Sequence, residues 1–131
     1  MSDHRHLPAE RLKSRKAIGL LFKGASSFAV HPLRIIWHVH LAEPGLPQLG
    51  FSVPKKRFKK AVDRNRVKRL MLESYRLQKA AFQESVTVLP GRFQGMFLYT
   101  SDTIVSYKQV SACMEKLLAQ LCVQIQAKKE Q

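Results

Sequence analysis

Phe51-Ser52-Val53-Pro54-Lys55-Lys56-Arg57-Phe58-Lys59-Lys60-Ala61-Val62-Asp63-Arg64-Asn65-Arg66-Val67-Lys68-Arg69-Leu70 is the stretch on which the reading of this chain turns. It opens inside a run, Leu49 to Val53, where large apolar side chains alternate with Gly50 and Ser52, the period-2 mark of a strand. Pro54 ends that strand, because proline has no N–H to give a ladder. From Lys55 to Arg69 nine residues are Lys or Arg against Asp63 alone, so this window holds +8 of the net +14. It leads into a helix expected from Ala61 to Phe82. At about 100° per residue, Val67, Leu70, Met71, Ser74 and Leu77 gather into one stripe. Arg64, Asn65, Lys68, Arg69 and Arg76 gather on another side, with Arg66 and Glu73 between. One rod can therefore dock on a core and still offer a cationic face.

Working toward the amino terminus, Leu33 to Leu41 reads as a strand. Ile35, Trp37, Val39 and Leu41 share one face, and Arg34, Ile36, His38 and His40 the other. Glu43-Pro44-Gly45-Leu46-Pro47 is turn chemistry, which makes this strand and the Leu49–Val53 strand a candidate hairpin. A further short strand fits near Phe28. Earlier still, Ser14 is a suitable N-cap, Ile18, Leu21 and Phe22 share a helical face, and Gly24 suits the C-terminal end. Toward the carboxyl terminus, Met96 to Thr100 reads as a buried strand. A last helix starts at Ser106, with Gln109 at capping-box spacing. Its core stripe is Val110, Met114, Leu117, Leu118, Leu121 and Ile125. The fold class is α+β in the order α-β-β-(β)-α-β-α. One domain spans 1–131, with 1–12 and 127–131 as frayed tails.

Composition narrows the function. In a chain of 131 residues, 45% hydrophobic content suits one domain with a real core. No apolar stretch approaches the roughly 20 residues of a bilayer crossing. The polar start lacks a secretory signal's apolar middle, so the cytoplasm is the expected compartment. A surplus of +14 repels itself and calls for a polyanion: nucleic acid first, an anionic membrane surface second. Cys113 and Cys122 lie nine apart in one helix, about 13.5 Å along its axis, too far for a disulfide. They are expected to be small apolar groups, buried or half-buried.

An active site of the polypeptide's own is not apparent. Asp63, Glu73, Glu84, Asp102 and Glu115 form no evident carboxylate pair. His38 and His40 share a strand face but lack a nearby third ligand, so no metal site is expected. The basic window differs. Its arginines bind phosphate oxygens through a planar fork, and Asn65 can both donate and accept.

Phe51-Ser52-Val53-Pro54-Lys55-Lys56 followed by Ala61-Val62-Asp63-Arg64-Asn65-Arg66-Val67-Lys68-Arg69-Leu70 resembles the signature of the bacterial ribonuclease P protein subunit. The amino-terminal helix fits too, with Ile18, Leu21 and Phe22 matching a Phe-x-x-Val-Phe pattern before a glycine. The resemblance implies an α/β sandwich whose arginine-rich helix lies in a left-handed βαβ crossover, against the usual right-handed rule. It also implies a non-catalytic subunit of a ribonucleoprotein that cuts the 5′ leader from precursor tRNA. The partners are then a catalytic RNA and precursor tRNA, with no membrane and no obligate protein partner. Mg²⁺ would be bound mainly by the RNA.

By position, Lys55, Lys56, Arg57, Lys59, Lys60, Arg64, Asn65, Arg66, Lys68 and Arg69 belong to the surface for the catalytic RNA. Arg15, Lys16, Ile18, Phe22 and Trp37 belong to a cleft between the first helix and the sheet that takes the leader. For Phe22 and Trp37, core packing and leader contact both stay open. Ile18 stands where the family has Phe, Pro54 where many members have Ser, and Arg57-Phe58-Lys59-Lys60 is more basic than the common loop. The competing readings are a small ribosomal or RNA-chaperone protein, a duplex-DNA binder using the long helix, and a protein-only nuclease.

Overall fold

The computed structural model describes residues 26–40, 47–87, 89 and 91–129. In chain order they form β1 (Ser26–Val30), β2 (Leu33–His40), β3 (Gln48–Ser52), α1 (Ala61–Thr87), β4 (Arg92–Tyr99) and α2 (Tyr107–Lys129). The expected helix over residues 14–23, the tail 1–12 and residues 43–46 of the expected turn lie outside the described residues. The short strand anticipated near Phe28 is β1. α2 continues through Lys129.

The four strands lie in the order β1-β2-β4-β3. β2 is antiparallel to both β1 and β4, whereas β3 runs parallel to β4. This corrects the expected hairpin: β2 and β3 do not pair, because β4 lies between them. The physical reason is in β4 itself. Phe93, Gly95, Phe97 and Tyr99 point one way and Gln94 and Met96 the other, and all six are buried. A strand buried at six of its eight positions needs a neighbour on each side. The β3-α1-β4 connection is thus a parallel crossover through the long helix.

Both helices cover one face of the sheet. Leu33, Ile35 and Trp37 of β2 lie opposite Tyr99, Phe97 and Gly95 of β4, and Leu49 of β3 lies opposite Gly95. Tyr75 and Phe82 of α1 close over them, with Tyr75 meeting Phe51 and Phe97 at 5.9 Å and Phe82 meeting Phe93 edge-on at 5.2 Å. Such pairs add about 0.5–1.5 kcal/mol beyond their buried area. The α1 stripe is Val67, Met71, Ser74, Tyr75, Phe82 and Val86. Leu77 is 51% exposed, contrary to expectation, because the aromatic residues later in the helix rotate the stripe away from it. All six expected core positions of α2 are buried. Gln78 ties the helices by donating to the Ser111 carbonyl at 3.1 Å.

The start of α2 is the capping box read from the sequence. Ser106 Oγ accepts the Gln109 N–H, and Gln109 Oε1 accepts the Ser106 N–H, each at 3.2 Å. Cys113 is buried, its thiol donating to the Val30 carbonyl at 2.7 Å, and burial pushes that thiol's pKa up. Cys122 is half-buried, and both cysteines are free.

Gly95 carries a testable constraint. A Cβ there would stand 3.0 Å from Phe93 Cε1 and 3.2 Å from both Ile35 Cδ1 and Leu49 Cδ2. Phe93 cannot yield freely, since its ring also stacks on Trp37 with centroids 5.4 Å apart. Gly95→Ala is expected to cost about 1–3 kcal/mol by overpacking, read as a lower urea midpoint at unchanged slope.

Candidate nucleic-acid interface

The basic window forms the loop from β3 to α1 and the first turns of that helix. Val53 and Phe58 are buried, with Phe58 against the Tyr99 ring at 5.9 Å. Between them the chain turns, the Arg57 N–H meeting the Pro54 carbonyl at 3.1 Å. Arg64 reaches back from α1, its Nη1 donating to the carbonyls of Phe58 at 2.8 Å and Lys59 at 2.9 Å. Hydrogen bonds from a charged donor contribute about 1.5–3 kcal/mol when well placed. Arg57 Nη1 meets Asp102 Oδ1 at 2.9 Å, crossing to the segment that links β4 to α2. That carboxylate is 76% exposed, so the pair adds at most about 1 kcal/mol. Tyr99 steadies the same segment: its hydroxyl donates to the Thr103 carbonyl at 2.7 Å and accepts the Val105 N–H at 3.2 Å.

Lys55, Lys56, Lys59, Lys60, Asn65, Arg66, Lys68 and Arg69 are exposed on this pinned frame. Among the described residues no carboxylate pairs with any of these cations. Farther along α1, Arg76 is held by Glu73, whose carboxyl is lowered by that hydrogen bond, and this takes Arg76 out of the cationic face. The field is therefore concentrated at one end of the helix.

The sheet face away from α1 and α2 has its own polar line. His38 Nε2 and Gln94 Oε1 are 2.8 Å apart, and Gln94 Nε2 donates to Gln48 Oε1 at 2.8 Å. The line crosses β2, β4 and β3, with half-buried Ile36 and buried Met96 in the next row. Trp37 is on the opposite face, 2% exposed and stacked on Phe93. Of its two open roles the structure selects core packing, since no base can reach that ring.

A family model described as Ribonuclease P matches residues 8–122. The chain belongs to the ribonuclease P protein family. The "Ribonuclease P protein component" of Porphyromonas gingivalis is 34% identical over 116 residues, covering 86% of this chain and 83% of that one. That of Chromohalobacter salexigens is 40% identical over 78 residues, 60% of each chain. The fold agrees with the solved ribonuclease P protein of Staphylococcus aureus, at a TM-score of 0.69 and 20% identity over 86% of this chain and 95% of that one. The Thermotoga maritima ribonuclease P protein gives 0.65 at 24% identity, over 85% and 96%. Membership makes this a protein component of a tRNA-processing enzyme.

Within that ribonuclease P frame, the residues expected at the RNA surface divide in two. Eight stand exposed together, whereas Arg57 and Arg64 are occupied in holding the loop. Arg15, Lys16, Ile18 and Phe22 lie outside the described residues. Asp102, His38, Gln94 and Gln48 were not picked out as site residues from sequence. The strand alternation did place His38 on the face opposite Trp37, which was the available signal.

Proposed function

We propose that this protein binds the catalytic RNA of ribonuclease P through the α1 platform and the 5′ leader of precursor tRNA across the sheet, promoting Mg²⁺-dependent leader removal. The observation that carries this reading is the pinned loop and helix start, with exposed cations free of described carboxylates. Fixed guanidinium and ammonium groups neutralise phosphates of folded RNA without reading bases, giving affinity at little ordering cost. Helix α1 adds geometry, because Asn65 and Arg69 recur one turn apart on one side of the rod.

The polypeptide's part is to bind and orient. Among the described residues no three His, Cys, Asp or Glu side chains gather into a metal-holding group, so no step is assigned to a protein-held ion. Activation of the attacking water and neutralisation of charge at the scissile phosphate would come from Mg²⁺ bound by the RNA. The test is leader removal by the RNA with and without purified protein, at near-physiological Mg²⁺. Stimulation is expected, and its absence would end the reading. Ribosomal RNA as the main copurifying species would favour a ribosomal role instead.

The leader is single-stranded, so its bases are open to stacking and to side-chain amides. On the face away from α1 and α2, half-buried His38 offers a ring and half-buried Gln48 an amide, and buried Gln94 joins the two. His38→Ala is expected to weaken binding of precursor tRNA to the holoenzyme about fivefold, the low end of one base-stacking contact. Binding of mature tRNA, which lacks the leader, should not change. Equal loss for both would place the leader elsewhere.

A further inference from the structure

We infer that Arg64, the first arginine of the Arg-Asn-Arg motif, is a positioning residue: it fixes the loop that presents Lys55, Lys56, Lys59 and Lys60, and does not itself clamp a phosphate. The inference deepens the proposed RNA-binding role and rests on it only for its RNA readout.

Two observations carry it. Arg64 Nη1 lies 2.8 Å from the Phe58 carbonyl and 2.9 Å from the Lys59 carbonyl, so one nitrogen joins two consecutive peptide groups of the loop to the first turn of α1. Arg64 also precedes Val67 by three residues and Met71 by seven, and both of those are fully buried. It therefore opens the core stripe of α1, and its guanidinium emerges beneath the loop. Asn65, Arg66, Lys68 and Arg69 are exposed, whereas Arg64 is half-buried. Phe58 is fixed from the other side by Tyr99, leaving Lys59 and Lys60 on a short span between two anchors. Remove the guanidinium and that span loses its attachment to the helix, along with the shared orientation of its ammonium groups.

Salt dependence separates the two roles. A lost phosphate contact lowers the slope of log K against log salt by about 0.9 on duplex-like RNA. Arg66→Met should show that single loss. Arg64→Met should lower the slope by about twice as much or more, because several lysines lose register together. Adding Lys59→Gln and Lys60→Gln should then have less than half the effect those changes have in the wild-type background. A one-contact loss in Arg64→Met with full additivity would overturn the inference.

A second measurement needs no RNA. Amide hydrogen exchange at Arg57, whose N–H meets the Pro54 carbonyl within the same loop, should quicken at least tenfold in the free protein in Arg64→Met and stay unchanged in Arg66→Met. Unchanged exchange in Arg64→Met overturns the positioning role whatever the RNA does. Quickened exchange in a protein that does not bind the RNA would instead sink the proposed function and leave the staple standing.

Discussion

Replacing Arg66, Lys68 and Arg69 together with glutamine is expected to lower affinity for the ribonuclease P RNA by two to three orders of magnitude. The estimate follows from counterion release: each phosphate contact contributes about 0.9 to the salt slope, hence about 0.9 decade near 0.1 M salt, and three contacts are removed. All three side chains are exposed and none pairs with a described carboxylate, so the fold loses nothing with them. Relief of like-charge repulsion should hold the melting temperature level or raise it slightly. The check is a salt titration of RNA binding beside a thermal melt. Undiminished affinity would move the interface off this end of α1.

Trp37→Ala is expected to destabilise the protein by about 3–5 kcal/mol, as for other buried large aromatics. Against a typical total of about 5–15 kcal/mol, much of the fold's margin would go. Trp37 is the chain's one tryptophan, packed under Phe93 and across from Gly95. Its fluorescence should report unfolding directly and resist quenching by added leader RNA. Trp37→Phe keeps an aromatic ring in the core and should retain precursor tRNA binding. Loss of that binding in a variant with a normal melt would mean that the indole does more than fill the core.

How legible all this was in the sequence differs between elements. Helix α2 was readable almost completely, because capping box and apolar stripe are both local patterns. The pairing of β2 with β3 was misread because alternation fixes which face a residue takes, never which strand lies beside it. The corrective signal was the apolar density of Phe93 to Tyr99, which suits a central strand and leaves β3 no place beside β2. Leu77 was misplaced for a related reason: Tyr75, Phe82 and Val86 outweigh it and turn α1. At the site, charge density marked a cationic window, and Arg66, Lys68 and Arg69 within it are exposed. It could not distinguish cations that face outward from Arg57 and Arg64, whose partners are a distant carboxylate and two peptide carbonyls. Those partnerships exist only after folding.

The parallel pairing of β3 with β4 has a consequence for synthesis on the ribosome. A nascent chain that has just emitted the cationic loop lacks the strand beside which β3 must lie, the ring against which Phe58 rests and the carboxylate that holds Arg57. All three are encoded some forty residues or so downstream, at Arg92–Tyr99 and Asp102. Domains generally order as units during translation, so the cationic loop should stay unshaped until that downstream stretch has cleared the exit tunnel. Truncated translation products are thereby denied a finished grip on RNA.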